Sequence, residues 1–177
     1  PVLSLRQRPS TKKSEEPIYG CDLALLLDAR VRGHFQATWA EFIQVKKSHA
    51  LQDSAKKRSR SDSWEIDCAQ LDGILKWSAT AAYWFIASAG ELLVVPARYL
   101  AGIRLGSGRS TTFKSFEVGY HDIRSVSIPL EQYLVELLMG QWVGASSADV
   151  IHFASGEYST IKPRLIVEIK IAAGYGE

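Results

Sequence analysis

A chain of 177 residues is long enough to bury the core of one domain. Its composition, with 46% hydrophobic and 23% charged residues, is typical of a folded globular protein and excludes a disordered chain, while a net charge of +2 does not by itself indicate a nucleic-acid partner. The apolar runs are too short to cross a bilayer and no signal peptide is visible, so we expect a cytoplasmic protein without a membrane partner. Cys21 and Cys68 form no metal-ligand motif and are expected to be free thiols.

The beginning of the chain predicts a polar arm followed by a buried strand. Residues 1–16 are polar and of mixed charge, which indicates a flexible arm. Residues 17–177 are expected to form one domain, with a core over 18–100 and a C-terminal extension over 101–177. The segment IYGCDLALLLDARV is apolar on both faces, as in a central strand that is covered on both sides. Its alternation places Asp22, Ala24, Leu26 and Asp28 on one face and Cys21, Leu23, Leu25 and Leu27 on the other.

A second strand and a helix are predicted next. After a turn at residues 32–33, the segment HFQATWAEFIQVKKS predicts a strand antiparallel to the first, with Phe42, Gln44 and Lys46 on one face. A polar, basic loop follows. Residues 64–77 have the apolar periodicity of a helix that Asp62 or Ser63 caps.

The remaining segments predict a hairpin, a helix and a last strand. AAYWFIAS and ELLVVPA form the hairpin, in which aromatic residues such as Tyr83 are expected to belong to the core, and FEVGY is a short strand. Residues 102–115 predict a Gly- and Ser-rich loop, Pro129 opens a helix that Gly140 closes, and KPRLIVEIKIAAG is an edge strand. This order predicts a mixed α/β (α+β) fold with a mixed central sheet flanked by helices.

Three residues on the two predicted strands carry the candidate chemistry. On adjacent antiparallel strands, the carboxylate of Asp22 lies beside the oxygen of Gln44, and Lys46 follows two residues further along the same face. Oxygen ligands suit a divalent metal, and a lysine can orient water or offset the negative charge that develops on a phosphate. The D…QxK spacing alone occurs by chance in many chains, and Lys46 also fits the solvated end of a strand.

The residues around these positions resemble a nuclease family. The stretch YGCDLALLLDARV…WAEFIQVKKS…WEIDCAQLDGILKW…ELLVVPARYL, within residues 18–100, resembles the central part of Mrr-like PD-(D/E)xK domains with a QxK motif. The resemblance implies a restriction-endonuclease-like core with Asp22, Gln44 and Lys46 as catalytic residues. It also implies that Asp22, Gln44 and the Val45 main-chain carbonyl hold Mg²⁺ or Mn²⁺, and that Gln70 faces DNA from the following helix.

The sequence departs from the family pattern in its second ligand. Gln44 replaces the second carboxylate, so a catalytically inactive member is one open alternative. Ile74 stands where RecB-like relatives have a tyrosine after the DNA-facing glutamine. Asp28 shares the face of Asp22, but six residues of extended strand separate the two by roughly 20 Å, too far to share one metal.

A literal ExK motif near the C-terminus competes with this site. Glu168 and Lys170 form it, and Asp149 precedes it by nineteen residues. Only seven residues follow Lys170, so the helix and strand that normally come after the motif cannot form. We therefore interpret Glu168 and Lys170 as the polar face of an edge strand.

Basic residues follow the QxK strand directly and are the expected phosphate contacts. The predicted nucleic-acid-binding side chains, with Gln70 added from the resemblance, are those of Lys47, Lys56, Lys57, Arg58, Arg60 and Gln70. A second basic segment contains Arg104, Arg109 and Lys114.

Three functions remain open at this stage. The first is a Mg²⁺- or Mn²⁺-dependent DNA endonuclease domain of a bacterial defence or restriction-like system, acting as a homodimer or in a larger defence complex. The second is an inactive nuclease fold that binds DNA or assembles a complex. The third is a protein-interaction domain that uses the apolar C-terminal region.

Overall fold

The computed structural model describes residues 20–31, 35–48, 62–87, 90–106, 113–138, 145–156 and 165–173. The predicted arm at residues 1–16, the turn at residues 32–33 and most of the basic loop lie outside these ranges. The described strands are β1 (Leu23–Val31), β2 (Phe35–Lys47), β3 (Ser63–Asp67), β4 (Ala82–Ile86), β5 (Leu92–Pro96), β6 (Ser115–Gly119), β7 (Ile128–Pro129) and β8 (Leu165–Ala173). The described helices are α1 (Cys68–Trp77), α2 (Ala97–Gly106), α3 (Tyr120–Ile123), α4 (Leu130–Leu138) and α5 (Ala148–Ala154).

A mixed six-stranded sheet organises the fold, in the order β7-β5-β4-β2-β1-β8. β1 is antiparallel to β2 and parallel to β8, whereas β2 is parallel to β4. The hairpin of β4 and β5 is confirmed, and Gly90 between them has a φ of 79°, which glycine adopts without steric cost. The predicted mixed α/β fold with a mixed central sheet flanked by helices is therefore confirmed.

Apolar side chains cover both faces of β1, as predicted from the apolar residues on both faces of this strand. Ala24 and Leu26 belong to one core cluster, beneath α1, α2, α5 and the β3–β6 ribbon, and Leu23, Leu25 and Leu27 belong to the other, which includes Tyr133 of α4. Cys21 was predicted on the face of Leu23, and this is wrong: it is buried in the cluster of Ala24 and Leu26. The strict alternation does not extend to Cys21 because the strand begins only at Leu23. No helix in the described ranges is long and apolar enough to cross a membrane.

The helix predicted over residues 64–77 is a strand followed by a shorter helix. Ser63–Asp67 form β3, which pairs with the distant β6, and the helix begins at Cys68. Trp64 and Ile66 are buried and Glu65 between them is exposed, which is the alternation of a strand with one face in the core. The cap is Asp67 rather than Asp62 or Ser63.

Two further predictions about helices are corrected. Residues 97–106 form α2, so the first part of the predicted loop over 102–115 is helical. Burial of Ala97 and Leu100 favours the helix in spite of its two glycines. Pro129 ends the short strand β7, and the following helix begins at Leu130 and is described to Leu138, while Gly140 lies outside the described residues. α5 was not predicted.

Candidate active site

Asp22 and Gln44 are in direct contact where β1 begins. The Gln44 Nε2 donates a hydrogen bond to Asp22 Oδ2 at 2.6 Å, and the Val45 main-chain N–H donates to the same oxygen at 2.9 Å. The main-chain N–H of Asp22 donates to the carbonyl of Ile43 at 2.9 Å. Both the main chain and the side chain of Asp22 are therefore anchored to β2. The carboxylate is part-buried, which strengthens hydrogen bonds to its charge.

Lys46 and Gln70 form a second contact on the same face of the sheet. Lys46 Nζ donates to Gln70 Oε1 at 2.7 Å. Gln70 lies in the first turn of α1, where its main-chain N–H donates to the capping carboxylate of Asp67 at 2.9 Å. The cap begins the helix and thereby sets the position of Gln70 relative to Lys46.

Gly20 allows the chain before β1 to pass close to α1. Its φ is 67°, in the left-handed region, and a Cβ built on it would lie 2.1 Å from the carbonyl oxygen of Gln70 and 2.7 Å from the main-chain nitrogen of Ile74. Only glycine fits a positive φ at this separation. Gly20 was not among the predicted site residues, although a glycine two positions before a candidate ligand is the signal that could have found it.

Gln44 and its register partner Tyr83 each carry a buried polar atom. Gln44 is 2% exposed and Tyr83 is 0% exposed. Neither Gln44 Oε1 nor the Tyr83 hydroxyl has a hydrogen-bond partner within the described ranges. Burial raises the pKa of Tyr83 far above its usual range, with further contributions from the negative charges of Asp67, Asp22 and Asp72. The hydroxyl therefore stays protonated. Tyr83 was predicted to be a core residue, and its complete burial confirms this.

The oxygens near Asp22 are of the kinds that ligate divalent cations. The N–H and C=O groups of one strand residue point to the same side, so the Val45 carbonyl lies on the side of Asp22, and Gln44 Nε2 contacts it at 3.5 Å. Gln44 Oε1, which has no hydrogen-bond partner among the described residues, is a third oxygen in this region. Carboxylate, amide and carbonyl oxygens are ligands for Mg²⁺ and Mn²⁺. Asp22 is the one carboxylate of this set, and the described residues contain no cluster of three or more His, Cys, Asp or Glu side chains that could hold a metal.

The other predicted nucleic-acid contacts are only partly described. Lys47 is exposed at the end of β2, while Lys56, Lys57, Arg58 and Arg60 lie outside the described residues. In the second basic segment, Lys114 is exposed and Arg109 is not described. Arg104 is 12% exposed and donates to Asp72 at 2.8 Å, a hydrogen bond that raises the pKa of the guanidinium. It packs α2 against α1.

The competing acidic residues lie apart from Asp22. Glu168 and Lys170 form an ion pair at 3.2 Å on β8, the edge strand that was predicted for them. Asp28 pairs with Arg30 at 3.0 Å, and its register partner on β8 is Lys170. Asp149 lies exposed on α5. Asp28 and Glu168 therefore have ion-pair partners that lie outside the Asp22 cluster.

Comparisons of the chain with protein-family models, with curated proteins and with solved structures found no match.

Proposed function

We propose that this chain is a metal-dependent DNA endonuclease domain with a restriction-endonuclease-like core, which serves a bacterial defence or restriction-like system. The proposal is supported by one observation above all: Asp22, Gln44, Lys46 and Gln70 lie on the same face of neighbouring elements, joined as two hydrogen-bonded pairs. Asp22 comes from 22 residues before Gln44 and Gln70 from 24 residues after Lys46, so the fold brings distant polar residues together.

The residues of this cluster have separable roles in phosphodiester hydrolysis. Asp22, Gln44 and the Val45 carbonyl would hold Mg²⁺ or Mn²⁺, which when bound stabilises the charge on the phosphate and lowers the pKa of a water molecule. Lys46 donates hydrogen bonds and positive charge to a phosphate oxygen or orients the attacking water. Gln70 restrains the Lys46 ammonium until substrate arrives, and its amide then contacts DNA. Lys47 and the basic residues 56–60 contact backbone phosphates.

The proposal is tested by cleavage of linear and circular DNA in Mg²⁺ and in Mn²⁺. We expect Asp22→Asn and Lys46→Ala each to lower the cleavage rate at least a hundredfold, because each removes a group that acts on the reacting phosphate. Asp28→Asn is a matched control on the same face of β1, and Glu168→Ala removes the competing acid. The proposal would be contradicted if Asp22→Asn still cleaved DNA and the two control variants did not.

A second candidate function is an inactive nuclease fold that binds DNA without cutting it. The observation in its favour is that Asp22 is the one carboxylate of the described cluster and that an amide and a main-chain N–H already satisfy its Oδ2. This candidate predicts no cleavage with any metal, together with DNA binding that weakens steeply with salt and upon substitution of Lys56 and Lys57 by Ala. A chain that neither cuts nor binds DNA would instead support a protein-interaction domain.

A further inference from the structure

β8 forms one edge of the six-stranded sheet and pairs, among the described strands, with β1 alone. It is nine residues long, and each of its residues is in register with a residue of β1, so the strand is regular over its whole length. The strand at the opposite edge, β7, has two residues. A long, regular edge strand presents main-chain N–H and C=O groups with which a further strand can pair, whereas a very short edge strand blunts such pairing. β8 is therefore the edge at which this sheet can be extended.

The side chains of β8 alternate between an apolar face and a charged face. Leu165, Val167 and Ile169 pack against the core cluster on the α4 side of the sheet. Glu168 and Lys170 lie on the other face, where they form an ion pair at 3.2 Å, and 15% and 42% of their side-chain surfaces are exposed. The strand thus carries one acid and one base, two residues apart, on a face that an added strand would share.

Two copies of β8 can pair antiparallel about a twofold axis that is perpendicular to the sheet. Paired residues must point to the same face, so only registers that centre the axis on a residue are allowed. An axis at Ile169, the midpoint of Leu165–Ala173, pairs all nine residues and places Glu168 opposite Lys170 of the partner subunit. An axis one residue away sets Glu168 against the partner's Glu168, or Lys170 against the partner's Lys170. One register therefore combines the greatest overlap with complementary charges.

The two charges select a second copy of this strand as the partner. Opposed residues of antiparallel strands have Cβ atoms about 5 Å apart, and opposite charges at this separation stabilise the pairing. Charged side chains on an edge strand oppose pairing with most other strands, whereas a second β8 complements them. We propose that β8 is the interface of a homodimer, in which two copies pair antiparallel about Ile169 and the sheets of both chains become one continuous sheet. All residues of the Asp22 cluster come from one chain, so the interface does not depend on the proposed metal site and its loss leaves that cluster intact.

Charge reversal tests this register by sedimentation velocity over a concentration series. Lys170→Glu and Glu168→Lys each place like charges opposite one another at both cross-strand contacts, and each should weaken dimerisation roughly tenfold or more. An equimolar mixture of the two variants should form a heterodimer, because an acid then lies opposite a base at both contacts again. Arg30→Glu is a matched control, since it breaks the exposed ion pair with Asp28 on the inner strand β1, and it should dimerise like the wild type. Circular dichroism and thermal unfolding verify that each variant is folded.

Crosslinking provides a second readout of the twofold axis. Position 169 lies about 5 Å from its own copy across the axis, whereas position 165 is separated from its copy by eight residues of strand, roughly 26 Å. A short bifunctional thiol reagent should therefore crosslink Ile169→Cys into a covalent dimer and leave Leu165→Cys as single chains. The wild type is the background control, because its Cys21 and Cys68 are buried.

Three results would overturn the proposal. The first is a wild type that sediments as a monomer throughout the concentration series. The second is a dimer that both charge reversals leave unchanged, or reversed variants that stay monomeric when they are mixed. The third is crosslinking of Leu165→Cys as fast as that of Ile169→Cys, which would contradict the register about Ile169.

Discussion

Substitution of Gln44 by Glu places a second carboxylate against Asp22 and creates the acidic pair that the QxK motif lacks. The present contact is a 2.6 Å hydrogen bond from an amide to a carboxylate, at a residue that is 2% exposed. Without metal, the new carboxylate loses this hydrogen bond and faces a like charge that water does not screen. With metal, it becomes a second charged oxygen ligand. The substitution should therefore destabilise the metal-free protein and strengthen its response to a divalent cation.

Two limiting cases give a similar loss of stability for the metal-free Gln44→Glu protein. Two ionised carboxylates about 4 Å apart at an effective dielectric constant of 20 repel by about 4 kcal/mol. Proton uptake by one carboxyl with an ordinary pKa of about 4.3 costs about 4 kcal/mol at pH 7. A loss of this size corresponds to a fall of about 8–16 °C in melting temperature for a chain of this length.

Thermal unfolding at pH 7, with and without Mn²⁺, measures both effects. Gln132→Glu is a matched control, because Gln132 also donates its amide to a carboxylate, Glu136, at 2.9 Å, but on the exposed surface of α4. The control should change stability by only a few tenths of a kcal/mol and should not alter the response to Mn²⁺. A metal-free Gln44→Glu protein that melts like the wild type at pH 7 would refute the contact with Asp22. An equal response of both proteins to Mn²⁺ would refute the ligand role of position 44.

Three further predictions concern the supports of the site. Asp67→Ala removes the cap of α1 and should lower the free energy of unfolding by about 1 kcal/mol, as measured by denaturant titration. An unchanged denaturation midpoint would show that the cap does not stabilise the start of the helix. Gly20→Ala adds a Cβ 2.1 Å from the carbonyl oxygen of Gln70, at a residue with a positive φ. The substitution should lower both the melting temperature and the Mn²⁺ affinity. A melting curve like that of the wild type would contradict the close approach of Gly20 to α1. The raised pKa values of Tyr83 and Tyr133 mean that both residues keep their protons in the folded state after the unfolded chain has released them. The contribution of the two tyrosines to stability should therefore be constant below about pH 10 and fall above it by about 1.4 kcal/mol per pH unit for each tyrosine. Alkaline denaturation of Tyr83→Phe should show a smaller slope, whereas an equal slope would contradict the burial of Tyr83.

The strands that carry the site were predictable because their patterns are local and strong. β1 and β2 have regular alternation and few competing signals, so their pairing and the shared face of Phe42, Gln44 and Lys46 follow from the sequence. Cys21 shows where this stops, since alternation holds only within the strand.

The parts that were mispredicted depend on distant partners. Trp64 and Ile66 also satisfy a helical spacing with residues of α1, and only the pairing with β6, about fifty residues later, makes this segment a strand. α2 contains two glycines and was interpreted as part of a loop, but burial of Leu100 and the ion pair of Arg104 with Asp72 hold it against α1. Tyr83 is the register partner of Gln44 through a parallel pairing with β2 that no local pattern specifies.

The cation site itself is tested most directly by locating bound Mn²⁺ with NMR. Paramagnetic broadening at substoichiometric Mn²⁺ falls off steeply with distance, so it reports which main-chain amides are nearest to the ion. We predict the strongest broadening at the amides of Asp22 and Val45, and its loss in Asp22→Asn but not in Asp28→Asn. Strongest broadening around Glu168 on β8, or broadening that Asp22→Asn leaves unchanged, would contradict the assignment of the metal to Asp22 and Gln44.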